Sequence, residues 1–173
     1  MFLPLPWIVG HHRKVIIYDN HQESHLAINE DWAISEDGRP SSIGVIIHDS
    51  NGHVTAAMSK GLPAQFPVES IAIAIGFLID QELKVSKVIV ESNALSIIQS
   101  VNAKDTAGAL GHIFQGILNP LHSFSSWKFQ HLKREHNRAA HDLAALARSS
   151  ETAQVWKGVT PPMLQNLLYR HPP

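Results

Sequence analysis

Four short strings in this chain hold side chains that could do chemistry together: Asn29-Glu30-Asp31, Val68-Glu69-Ser70, Glu91-Ser92-Asn93 and Asn137-Arg138-Ala139-Ala140-His141-Asp142. Asp31, Glu69 and Asn93 offer oxygen donors, and His141 offers an imidazole. The chain has no cysteine, which removes disulfides, thiol nucleophiles and zinc-finger sites and leaves oxygen as the natural ligand for a cation. Carboxylates that converge without a cation repel one another, so such a cluster is rarely structural. Taken singly, each residue has a plainer reading. Asp31 alone is a solvated strand-end acid, Glu69 a first-turn acid favoured by the helix dipole, and Asn93 a helix N-cap.

Other candidate groupings are weaker. Glu30 and Asp31 are strand neighbours pointing to opposite faces, so they make no glycosidase pair. His131, His136 and His141 are spaced by five and share no helix face, and His11, His12, His21 and His25 read as surface residues in an irregular segment. Asp49-Ser50-Asn51-Gly52 imitates the start of a calcium loop without its distal Glu, and reads as a turn. Glu91, two residues before Asn93 and on the same strand face, reads as a solvated or Lys-paired carboxylate. The net charge of −1 hides a division: residues 15–38 hold six acids and no Lys or Arg, whereas residues 128–148 hold five Lys/Arg against two acids. The basic stretch is either an ordinary solvated helix and strand end or a phosphate-contacting rim, with Lys133, Arg134 and Arg138 as the contacts.

The elements that must position these residues follow from periodicity. Strands are expected at Leu26–Ile34, Ser42–His48 and His53–Met58, the last two joined by an Asn-Gly turn. Residues 67–83 alternate like a strand at Ile71–Ile75, but their length and Pro67 in the first turn favour a helix buried on nearly every side. Lys87–Glu91 is a short apolar run typical of a parallel strand. Helices are expected at Ala94–Val101, at Leu110–Leu121 with a stop at Asn119-Pro120, and at Asn137–Arg148, with a strand at Trp127–Leu132. A polar tail then leads to a short helix over Met163–Leu168. The order is α/β: three antiparallel strands, then alternating helices and strands, giving a mixed sheet with helices on both faces.

In this order and at this spacing the strings resemble the plant branch of type 1 RNase H-like domains, related to retroelement reverse transcriptases. The family pattern runs N-x-D-G-A, a helix-borne Glu in A-E-A, E-S-D-A, and R-E-x-N-x-x-A-D/H-x-L-A. Here it reads Asn29-Glu30-Asp31-Trp32-Ala33, Val68-Glu69-Ser70, Glu91-Ser92-Asn93-Ala94 and Arg134-Glu135-His136-Asn137-Arg138-Ala139-Ala140-His141-Asp142-Leu143-Ala144. The resemblance implies an RNase H-like fold with a five-stranded mixed sheet over residues 25–148, preceded by an arm at 1–24 and followed by a tail at 149–173. It implies Mg²⁺ or Mn²⁺ as cofactor, with Asp31, Glu69 and Asn93 as metal ligands and His141 completing the catalytic set. The implied reaction is hydrolysis of the RNA strand of an RNA–DNA hybrid by a two-metal mechanism. Recognition would rest on duplex shape and 2′-hydroxyls with little base specificity.

The sequence departs from that pattern at three places. Asn93 stands where the family has Asp, His141 where many members have Asp, and Trp32 where the family has Gly. These departures motivate a second reading, a catalytically impaired module that binds nucleic acid or a protein partner. The longest apolar run, Ile71–Ile79, is nine residues, against the ~20 needed to cross a bilayer as a helix. Residues 1–10 lack a basic start and carry Pro4 and Pro6, unlike a secretory signal. The expectation is an intracellular, monomeric protein with no membrane segment and no identified protein partner.

Overall fold

Alternation along His25–Ala33 assigns each side chain of the first strand, β1, to a face. Leu26 and Ile28 turn to one side, and Ala27, Asn29 and Asp31 to the other. The structure is a computed structural model that describes residues 25–33, 41–62, 67–104, 110–150 and 152–165, without the side chains of 67–70 and 80. The arm at 1–24 and the chain beyond 165 lie outside the described residues.

The remaining elements are β2 (Ser41–Asp49), β3 (Val54–Leu62), α1 (Pro67–Asp80), β4 (Lys87–Ser92), α2 (Leu95–Asn102), α3 (Gly111–Leu121), β5 (Ser126–His131), a 3₁₀ turn (Arg134–His136), α4 (Arg138–Ser149) and β6 (Gln154–Lys157). They form one mixed sheet in the order β5-β4-β1-β2-β3-β6. β1 is central, antiparallel to β2 and parallel to β4. β2 and β3 form the expected antiparallel hairpin, and β4 and β5 run parallel.

One face of the sheet presents Leu26, Ile28, Ile43, Val45, Ile47, Val88 and Val90 to Ile71, Ile75 and Leu78 of α1 and to Phe114, Ile117 and Leu121 of α3. Each fully buried Ile or Leu contributes roughly 1.5–3 kcal/mol, which is why the helical reading of residues 67–83 wins over their local alternation. The opposite face holds a smaller cluster of Ile46, Ala57, Ala139, Leu143 and Leu164, covered by α4 and the tail.

Two features differ from expectation. The sheet has six strands, because Gln154–Lys157 pairs antiparallel with β3, setting Trp156 opposite Ala57. A four-residue strand carries too little alternation to stand out from polar neighbours. Helix α3 also runs through Pro120 to Leu121. A proline that close to the end forfeits a single N–H bond, and Ser123 caps the turn by donating its Oγ–H to the Pro120 carbonyl at 2.7 Å.

Candidate functional site

Asp31 belongs to the face of β1 that α4 covers, opposite Gly44 in the β1–β2 register. It is almost fully buried, at 2% exposure. The parallel register with β4 sets Glu30 beside Ser92, so the next residue out of the strand, Asn93, arrives beside Asp31. Asn93 Nδ2 donates to Asp31 Oδ1 at 2.7 Å. This is the use of Asn93 that the structure shows in place of the expected cap: the N-cap of α2 is Ala94, with no side-chain cap bond.

The third partner comes from α4. After the 3₁₀ turn, buried Asn137 donates from Nδ2 to the Glu30 carbonyl at 2.6 Å, pinning the start of α4 to the central strand. One turn on, His141 Nδ1 lies 2.7 Å from Asp31 Oδ2. A carboxylate oxygen only accepts, so Nδ1 carries the proton of that bond. The two carboxylate oxygens of Asp31 thus receive one donor from β4's end and one from α4.

Helix α4 comes this close because the sheet beneath it is nearly bare. A Cβ on Gly44 would overlap the Ala140 carbonyl oxygen and crowd the Ala144 nitrogen. On either side of that contact the hydroxyls of Ser42 and Ser59 donate to the carbonyls of Ala144 and Leu143, at 2.8 and 2.7 Å. Sequence reasoning passed over Gly44, Ser42 and Ser59. The only signal was a glycine and two small hydroxyl residues on strands otherwise rich in large apolar side chains.

A second polar layer sits two residues down both strands. Asn29 Nδ2 donates to Glu91 Oε2 at 2.9 Å, and Asn29 Oδ1 meets His48 Nε2 at 2.8 Å. All three residues are buried. Glu91 is therefore not solvated as its position suggested. Loss of hydration pushes its carboxyl up from 4.5 to about 7, against the lowering effects of the Asn29 bond and of Lys128. Residues on paired strands share a face at every second position, so a polar layer forms wherever both strands place polar residues there.

Of the other expected site residues, Glu69 lies in the first turn of α1, its side chain outside the described residues. Trp32 is next to Asp31 on β1 and so turns to the opposite face. Lys133, Arg134 and Arg138 are exposed along the 3₁₀ turn and the start of α4, Arg138 lying 3.5 Å from Asp142. Asp31 and the amide oxygen of Asn93 are hard donors of the kind Mg²⁺ takes. The amide presents its NH₂ to Asp31, so Oδ1 turns toward a shared cation only when the amide rotates over. Among the described residues no group of three or more His, Asp or Glu side chains forms a metal cluster. The described donors, one carboxylate and one amide oxygen, fall short of the charge a pair of divalent ions requires.

The sequence profile of the reverse transcriptase-like family matches residues 29–147. Among solved structures, the chain is similar to the N-terminal RNase H domain of rv2228c from Mycobacterium tuberculosis, with 11% identity, a TM-score of 0.64, and 73% of this chain and 95% of that chain covered. RNase H1 from the halophilic archaeon Halobacterium salinarum matches with 15% identity and a TM-score of 0.59, over 72% of this chain and 96% of that one. LC11-RNase H1, isolated from compost and solved in complex with an RNA/DNA hybrid, matches with 20% identity and a TM-score of 0.59, over 73% and 97% of the two chains. These likenesses establish an RNase H fold. No curated protein matches the chain by sequence. No helix among the described residues is long and apolar enough to cross a membrane.

Proposed function

Because this chain belongs to the reverse transcriptase-like family, we propose that it is a ribonuclease H-type domain whose ligand is an RNA–DNA hybrid. The observation that carries this reading is the placement of Asp31. It is a buried carboxylate on the central strand, met by Asn93 from the end of β4 and by His141 from α4. Lys133, Arg134 and Arg138 are exposed on the 3₁₀ turn and at the start of the helix that carries His141. Exposed guanidinium and ammonium groups contact phosphates, which positions a duplex without reading its bases. LC11-RNase H1, which shares the fold, is seen with such a hybrid.

Hydrolysis of the RNA strand is the finer part of the proposal, with Asp31, Glu69 and Asn93 holding Mg²⁺ or Mn²⁺ and His141 beside them. Bound there, a divalent ion would supply Lewis-acid stabilisation of the phosphodiester under attack. This chain's own residues do the rest: Asn137 ties α4 to β1, Gly44 lets it seat on β2, and α4 and the end of β4 hold the two side chains that orient Asp31.

One observation favours a second reading, binding without efficient cleavage. Asp31 already carries a donor on each oxygen, and an amide and an imidazole stand where two further carboxylates would supply charge for a second ion. Cleavage of a labelled hybrid with and without Mg²⁺ decides between the two, with Asp31→Asn as control. Mg²⁺-dependent cleavage that Asp31→Asn abolishes supports the hydrolase. Hybrid binding without cleavage supports the binding module, and the absence of hybrid binding removes both.

A further inference from the structure

Helix α4 covers only part of the sheet face that holds Asp31. It rests on β1, β2 and β3, with the tail beside it over Ile46 and Ala57. The other part of that face belongs to β4 and β5. Register assigns Lys87, Ile89 and Glu91 of β4 to it, and Ser126, Lys128 and Gln130 of β5. Among the described residues no helix packs on this half; α2 meets β5 from the opposite face, where Ile98 and Val101 join Val88, Val90 and Phe129. The half is nevertheless built like a covered surface. Glu91 is 1% exposed and Asn29 beside it 6%. Gln130 keeps Oε1 buried with no hydrogen-bond partner among the described residues, which costs stability unless a donor arrives. Ile89 lies half-buried along β4, and Lys87 and Lys128 make the rim positive.

The chain enters the sheet at this rim, because His25, the first residue of β1, is paired with Lys87. The ten residues before it, 15–24, hold the apolar run Val15-Ile16-Ile17-Tyr18 and the acids Asp19 and Glu23, with no Lys or Arg. We propose that residues 15–24 double back at His25 and lie across the open half, with Val15–Tyr18 over Ile89 and with Asp19 and Glu23 beside Lys87 and Lys128. Ten residues reach up to ~33 Å, which exceeds the ~20 Å length of a six-residue strand and the ~5 Å step to its neighbour. Tyr18, Asn20 and Gln22 bring the donors that the Gln130 carbonyl requires. A second copy of the same face is the poorer occupant, since Lys87 and Lys128 would meet their own like charges. The arm is then a working part of the domain, and it shields the Asn29–Glu91 layer that lies two residues behind Asp31 and Asn93.

The chain has no cysteine, so introduced thiols can be cross-linked without interference. Two double variants of the full chain are treated with a short bis-maleimide at low protein concentration. The first, Asn20→Cys with Ser126→Cys, spans the proposed contact. The second, Asn20→Cys with Gln115→Cys, places its other thiol at an exposed position of α3, on the opposite side of the sheet. The intrachain product of the first pair is expected to form about tenfold faster than that of the second, because docking raises the local concentration of the arm at one site. Lys87→Glu added to the first pair is expected to remove that advantage, and Glu23→Lys added in turn to restore it. Should Lys87→Glu fail to fold, Asp19→Lys with Glu23→Lys reverses the charges from the arm's side and is expected to give the same loss. Equal rates in the two pairs overturn the inference, and so does an advantage that no charge reversal changes. A product joining two chains in place of the intrachain one overturns it as well, since the face is then covered by the arm of another copy.

Discussion

Gly44 and Ala140 meet backbone to backbone: the place a Cβ would take on Gly44 is filled by the Ala140 carbonyl oxygen. Any side chain there pushes α4 off the sheet and, with it, His141 away from Asp31. Gly44→Ala is expected to cost about 3 kcal/mol of stability, read as a lowered urea midpoint. Ser42→Ala and Ser59→Ala, which remove one buried bond each to the same helix, are expected to cost about 1 kcal/mol apiece. A Gly44→Ala chain as stable as the natural one would show that α4 is not seated as described.

Asn137 makes a second anchor, and its chemistry predicts an order among variants. The Glu30 carbonyl needs a donor, which Ala lacks and which Asp replaces with a charge. Asn137→Ala is expected to lose about 2 kcal/mol and Asn137→Asp more, measured by chemical unfolding at neutral pH. The reverse order would argue that the Asn137–Glu30 bond is not what holds the helix start.

Much of this was legible beforehand, for reasons visible in particular residues. The strings around Asp31, Asn93 and His141 signalled a common site because strand register and helix placement bring all three together. Helix α1 was recoverable from length and Pro67 although Ile71–Ile75 alternates. Burial was not legible. Glu91 looks like a surface acid until its partner Asn29, itself bonded to His48, is placed beside it from far away in sequence. Asn93 fits a capping pattern locally, and only the β1–β4 register shows a carboxylate competing for its amide. Gly44 sits inside an apolar run, and nothing nearby in sequence announces that a helix from the other end of the chain will rest on it.

Glu91 gives a pH dependence with a definite sign. Burial raises its carboxyl from 4.5 to about 7, so the folded chain holds that proton more tightly than the unfolded one. The resulting stabilisation is complete below pH 4.5 and is lost as the pH climbs through 7. Compared with Glu91→Gln, which does not titrate, the natural chain should lose about 3 kcal/mol across that window. Unfolding free energies of both chains at a series of pH values supply the comparison, and a flat difference would place Glu91 in water after all.

Asn93→Asp should convert a hydrogen bond into a repulsion. Two adjacent carboxylates at Asp31 destabilise the fold until a divalent cation neutralises them. The variant is expected to melt several degrees below the natural chain in chelator and to recover most of that loss in millimolar Mg²⁺, a loss of 1 kcal/mol corresponding to roughly 2–4 °C. If Mg²⁺ shifts the melting of both chains equally, position 93 does not face the cation.

The described part of the tail bears on the helix that carries His141. Leu164 is fully buried among Ile46, Ala57, Ala139 and Leu143, with Trp156 and Met163 packed alongside. A chain cut after Ser149 would keep every residue of the Asp31 cluster, yet it would open the apolar underside of the helix that aims His141 and release the strand guarding the outer edge of β3. Loss of nucleic-acid affinity on trimming would then report a slackened helix rather than a missing contact.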